Sequence, residues 1–194
     1  MSDTSVFLWI NGLAGRVAVF DEFFKGIAND YFALITGCLV LIWLWFATRD
    51  VVQREKNQRA VLWAMASIGI VCAMMMLINN NYFKLRPFDV LPGDSINLLF
   101  YKPTDSSFPS NIAAVIFALA IPIFIKNKRY GSWLLALAIL TGFGRIYIGV
   151  HFPLDVVSGV ALGALASFIS LGILRIIKPL PDFVLKILHI LYLA

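Results

Sequence analysis

The sequence predicts an all-α integral membrane protein: a helical bundle of about five transmembrane spans plus an N-terminal helix that is interfacial or packed on the bundle. Three observations carry that expectation. Hydrophobic residues fill 60% of the 194 positions and charged ones only 14%, against roughly half and a quarter in soluble domains. The mean hydropathy is +0.85. Five stretches, at 31–48, 60–78, 110–125, 132–149 and 154–177, are apolar over a length that crosses or nearly crosses a bilayer. No internal repeat or low-complexity segment divides the chain, so residues 1–194 read as one domain.

The first 30 residues are mixed. Val6–Ala28 interleaves aromatic and aliphatic side chains with Arg16, Asp21 and Glu22 and lacks the basic start of a cleavable signal, which fits an interfacial or packed helix. The transmembrane core covers residues 31–178. Its second and third spans are separated by a long loop, 79–109, stiffened by Pro87, Pro92 and Pro103. Loops of that length in compact domains are usually functional or disordered. The third span opens at Pro109-Ser110-Asn111 and would be only ~22 Å long. That is short of the hydrocarbon core, so its opening is recessed to about the depth of lipid phosphates. Pro153 suits the start of the last span, and Gly159-x-x-x-Gly163 suits close packing within the bundle. Pro179 and Pro181 separate off an amphipathic segment, 179–194. Cys38 and Cys72 lie in apolar spans, as buried free thiols would, without metal spacing.

The formal charge of +5 comes from basic residues in short loops. That pattern fits topology signals and lipid-headgroup contacts rather than nucleic acid. Arg49, Arg54, Lys56 and Arg59, then Lys126, Lys128 and Arg129, then Arg175 and Lys178, all fall on one side of a five-span bundle. The positive-inside rule makes that side the cytoplasm. The 79–109 loop and the turn around His151 then face outward.

Three stretches meet on that outer face. In "KLRPF", Arg86 has the fork geometry for phosphate oxygens, though alone it fits a snorkelling interfacial arginine as well. At "PSNI", Ser110 as N-cap, with free amides at Asn111, makes an anion site from hydroxyl, N–H groups and helix dipole. In "GFGRIYIGVHFPLDVVSG", Arg145, His151 and Asp155 share one end of two spans. His-x-x-x-Asp spacing lets the carboxylate reach one imidazole nitrogen and leaves the other as a nucleophile or base. A structural ion cluster is the alternative. The convergence of all three stretches, and the cost of placing such groups at a membrane boundary, favour function.

The pattern resembles the type 2 phosphatidic acid phosphatase (PAP2) superfamily. That family's signature is a Lys-x6-Arg-Pro element, then Pro-Ser-Gly-His, then Ser-Arg-x5-His-x3-Asp. The matches here are Arg86-Pro87, Pro109–Ile112 and Gly144–Asp155, over roughly residues 30–178. The span layout and "LTGFGRIYIGVHFPLDV" look most like the bacterial undecaprenyl-diphosphatases of the bacitracin-resistance type. The resemblance implies a PAP2-type bundle in the bacterial inner membrane, with its site facing the periplasm or cell exterior. It implies His151 as the phosphoryl-accepting nucleophile and Asp155 as its orienting partner. Arg86, Ser110, Arg145 and the amides near Asn111 would hold the phosphate. No metal or other cofactor is implied, because the arginines supply the positive charge. The implied substrate is an isoprenoid diphosphate lipid.

Three family positions differ. The Lys of the first element is Asn79, for which Lys84 or Lys102 would have to substitute, and the Ser before Arg145 is Gly144. The His of the second element, the general acid that protonates the leaving group, is Ile112. Losing such an acid costs about 10²–10⁴ in rate. The remaining histidine, His189, lies beyond the last span on the cytoplasmic side. The readings left open are an undecaprenyl-diphosphatase of reduced activity, a non-catalytic or altered relative that binds or translocates lipid phosphates, and a phosphatase or phosphotransferase for another lipid, such as phosphatidylglycerol phosphate or lipid A.

Overall fold

The computed structural model describes residues 2–177 and 179–190. Among them are α-helices α1 (Asp3–Asn11), α2 (Ala18–Ile27), α3 (Phe32–Phe46), α4 (Val51–Asn81), α5 (Pro87–Val90), α6 (Asn111–Lys126), α7 (Lys128–Tyr147), α8 (Pro153–Ile176) and α9 (Pro179–Ile190), and no strand. Lys178, one of the expected cytoplasmic basic residues, lies outside the described residues.

Each of the five predicted spans corresponds to one helix, but the boundaries move. α4 begins at Val51, so Arg54, Lys56 and Arg59, expected in a short loop, are helical. Asp50 caps it by accepting a hydrogen bond from the Val52 amide, and no helix breaker follows before Asn81. The short loop expected around Lys126, Lys128 and Arg129 contracts to Asn127, which ends α6 and caps α7 by accepting from the Tyr130 amide.

The helices of the five expected spans differ in length and polarity. By length and composition α4 and α8 can cross a membrane, and α2 with α3, bent by 54°, passes only as a pair. α6 has 16 residues, about 24 Å, which is less than a hydrocarbon core. α7 carries Lys128 and Arg129 at one end and Arg145 at the other.

α6 is the hub. It packs against α3, α4, α7 and α8, with Ile116, Leu119, Ala120 and Ile123 essentially inaccessible. Lipid is as apolar as leucine, so close van der Waals fit must hold such a helix. The fit to α8 depends on Gly159 and Gly163. A Cβ there would lie 2.6 Å from the Ser110 carbonyl oxygen and 2.5 Å from that of Ala114. The Gly159-x-x-x-Gly163 pattern is therefore an internal packing seam, and it sets the depth of the α6 opening against α8. Cys38 and Cys72 are free but exposed on the outer helix surfaces, not buried as expected, because both lie away from the α6-facing side.

The single expected N-terminal helix is a pair, α1 and α2, packed on α7 and on the start of α8. Buried Asn11 ties α1 in place: its Nδ2 donates to the carbonyls of Asn97 (2.9 Å) and Tyr147 (2.8 Å), and its Oδ1 accepts from the Asn97 amide. Phe7 packs on Phe152 with ring centroids 5.3 Å apart. The 82–110 segment, the α2–α3 junction and the α7–α8 turn thereby share one end of the bundle. The basic α3–α4 and α6–α7 turns occupy the other.

Candidate active site

His151 sits in the turn between α7 and α8 and is 2% exposed. Gly149 makes this turn possible, since its φ of 89° is open to glycine at little cost. The ring's Nδ1 is 2.8 Å from the Ser107 carbonyl oxygen. A carbonyl only accepts, so Nδ1 carries the proton and Nε2 presents its lone pair. Facing Nε2 are Arg86 Nη1 at 3.3 Å and Arg145 Nη2 at 3.5 Å. Burial, then the two guanidinium groups and Lys84, hold the His151 pKa well below its ordinary 6.5, against a smaller opposing effect of the Ser107 carbonyl. The imidazole is therefore neutral at physiological pH, as a nucleophile must be.

The expected direct bond between Asp155 and the imidazole is not there. The carboxylate, 0% exposed, accepts instead from Ser107 Oγ (2.6 Å), the Phe152 amide (3.0 Å) and Lys84 Nζ (2.6 Å). It orients His151 through Ser107: it fixes the residue whose carbonyl fixes the ring. Asp155 is at the third position of α8, where its carboxylate also satisfies an amide at the helix start, and that local bond competes with reach to His151. Lys84 is likewise displaced from its expected phosphate-holding role. Its ammonium lies behind the ring on Asp155 and 4.8 Å from the Phe152 ring centroid.

Each arginine divides its guanidinium between two tasks. Arg86 directs Nη1 to Nε2 and to the Val150 carbonyl, while Nη2 donates to Asp105 Oδ1 at 2.7 Å. Arg145 directs Nη2 to Nε2, while Nη1 donates to the Ala28 carbonyl (3.0 Å) and Asp30 Oδ1 (2.6 Å). Asp30 Oδ2 in turn accepts from the Tyr101 hydroxyl, and that bond raises the Tyr101 pKa to about 12.

In front of His151 is a cavity of ≈ 370 Å³. Arg86, Arg145 and His151 form its floor; Asp30, Tyr101 and Asp105 form its polar rim; Asn111, Ile112, Tyr31 and Leu34 close its sides. Ser110 is the N-cap of α6, as expected, but its hydroxyl does not cap the helix. Among the described residues Ser110 Oγ and Arg145 Nε are buried without a hydrogen-bond partner, and the first α6 amides have no intrahelical acceptor.

The structure thus gathers Arg86, Asn111, Ile112, Arg145 and His151 at one cavity, with Ser110 buried beside Asn111 at the α6 opening and Asp155 and Lys84 behind the ring. Asn79 donates to Asn111 Oδ1 (3.4 Å). Sequence reasoning missed Asp30 and Ser107. Asp30 offered a signal, an acid just ahead of an apolar span. Ser107 offered none, because it acts on the ring through its backbone. Asp105 and Tyr101 were identifiable as outer-face residues without a position.

Residues 58–177 match the PAP2 superfamily. Undecaprenyl-diphosphatase BcrC of Bacillus subtilis is 26% identical over 182 residues, covering 94% of this chain and 89% of its own. An undecaprenyl-diphosphatase of Sulfolobus acidocaldarius is 28% identical over 179 residues, 87% of this chain and 85% of its own. The crystal structure of Aquifex aeolicus LpxE superposes with a TM-score of 0.70 at 29% identity, over 87% of this chain and 94% of that one. A transmembrane PAP2-type phosphatidylglycerolphosphate phosphatase from Bacillus subtilis shares the fold at a TM-score of 0.57 and 22% identity, over 88% of this chain and 85% of that one.

Proposed function

The chain belongs to the PAP2 superfamily, and from that membership we propose that it hydrolyses an isoprenoid diphosphate lipid, undecaprenyl diphosphate to undecaprenyl phosphate, through a phosphohistidine at His151. The observation that carries this is the Nε2 lone pair set between two buried guanidinium groups, 3.3 and 3.5 Å away. A terminal phosphoryl group there has its nucleophile and its charge stabilisation in place at once. The relatives named undecaprenyl-diphosphatase support the substrate.

In the first step Nε2 attacks the terminal phosphorus and the lipid monophosphate departs. Arg86 and Arg145 hold the equatorial oxygens, assisted by Ser110 and the first amides of α6. In the second step water cleaves the P–N bond. The cavity opens at the end of the bundle opposite the basic turns, so the site faces the extracytoplasmic side. Ile112 removes the leaving-group acid. A departing phosphate monoester is a far better leaving group than an alkoxide, so a diphosphate suffers least from that loss.

Phosphate release from undecaprenyl diphosphate tests the proposal. Turnover that disappears in His151→Ala supports it, and turnover that survives His151→Ala sinks it. Ile112 favours a second reading, a protein that binds lipid phosphates without cleaving them. That reading predicts saturable binding with no release, even in Ile112→His. A panel with phosphatidylglycerol phosphate and lipid A separates the substrates.

A further inference from the structure

We propose that Asp105 is the general base that activates water in the second half-reaction. The proposal rests on the phosphohistidine reading above. Cleaving a P–N bond with water requires an acceptor for a proton of that water, next to the cavity. His151 cannot serve, since Nε2 carries the phosphoryl group. The carboxylates lining the cavity are Asp30 and Asp105.

Their surroundings separate them. Asp30 has both oxygens engaged, by Arg145 and by the Tyr101 hydroxyl, and its side chain is 22% exposed. Asp105 gives Oδ1 to Arg86, and its Oδ2 has only a long contact, 3.4 Å, from Asn111 Nδ2. Its side chain is 55% exposed, so lone pairs remain toward water in the cavity mouth.

Arg86 spans the two sites, with Nη1 toward Nε2 and Nη2 on Asp105. A phosphoryl oxygen on Nη1 leaves the carboxylate in place on Nη2 of the same guanidinium, at the cavity that both residues line. Asn111 holds Oδ2 at the edge where the first turn of α6 also presents Ile112, and is itself held by Asn79. One departure from the family pattern, Asn79, thus lies on the hydrogen-bonded path that runs through Asn111 to Asp105, and another, Ile112, follows Asn111 in the chain and lines the same cavity.

The step balances. The water oxygen bonds to phosphorus and its proton moves to Asp105. The P–Nε2 bond breaks and returns its electron pair to Nε2. Inorganic phosphate leaves and Asp105 releases its proton to solvent. The first half-reaction needs no such group, because the lipid monophosphate departs as an oxyanion.

Rapid-quench kinetics on the full chain, with the terminal phosphate of undecaprenyl diphosphate radiolabelled, tests this. Asp105→Asn is expected to label His151 within about threefold of the parent rate and to lose the label about 10²–10⁴-fold more slowly. A burst of one lipid monophosphate per enzyme then precedes slow turnover. Asp105→Glu is expected to restore breakdown to within about tenfold. Unchanged breakdown in Asp105→Asn overturns the proposal, as does equal slowing of both steps, which marks a residue that only positions Arg86. If the parent chain turns over without acid-labile label on His151, the phosphohistidine reading itself fails and takes this one with it.

Discussion

The two faces of the His151 ring are built differently. Behind it, every strong polar group has a partner: Nδ1 on the Ser107 carbonyl, Ser107 Oγ on Asp155, Asp155 on Lys84 and the Phe152 amide. In front of it, the pairing is incomplete. Two guanidinium groups converge on one lone pair, and among the described residues Arg145 Nε, like Ser110 Oγ at the nearby α6 opening, is unpaired. Buried unpaired donors are costly in a finished core. On the proposed function the back is a positioning device and the front a binding surface for an anion, so the two should fail in different ways.

The largest effect should come from the front. Arg86→Ala or Arg145→Ala removes a donor aimed at the phosphoryl oxygens, and kcat on undecaprenyl diphosphate should drop about 10²–10³-fold. Next comes Ile112→His, which adds chemistry to the front. Its gain should approach about 10²-fold on a lipid monophosphate, whose alkoxide leaving group needs a proton, and be much smaller on a diphosphate. Comparing the two substrates with each variant measures the acid function directly. Asp155→Asn should be milder, about tenfold in kcat with KM little changed, because the ring loses orientation rather than phosphate contacts. If Asp155→Asn costs as much as Arg145→Ala, the division between back and front is wrong.

The sequence revealed more of the front than of the back. Apolar run lengths located all five core helices, because a bilayer demands them. The Gly159 and Gly163 spacing located the seam with α8. Arg86, Arg145 and His151 were legible because charged groups at a membrane boundary are costly unless used. The back was not legible. His151 to Asp155 spacing allows a direct bond, but the carboxylate is drawn to the start of its own helix and to Ser107. Ser107 acts through a carbonyl that every residue possesses. Asp30 pairs with Arg145 across more than a hundred residues of chain, and no local pattern records that.

The smallest effect is a shift along the pH axis, and it tests the coupling between the faces. kcat/KM reports the free enzyme. Protonating Nε2 destroys the nucleophile, so activity falls as pH drops through the His151 pKa. That pKa lies well below 6.5, chiefly because the ring is buried and secondarily because Arg145 and Arg86 face it. The acid limb should therefore fall below the ordinary histidine range. Arg145→Gln removes one of the two facing charges and leaves burial intact, so the limb should move toward higher pH without reaching 6.5. Lys84→Met removes a more distant charge from behind the ring and should move it less. The same ordering should appear in NMR titration of labelled His151 without substrate. A larger shift from Lys84→Met than from Arg145→Gln would mean that the back, not the front, sets the protonation state of the nucleophile.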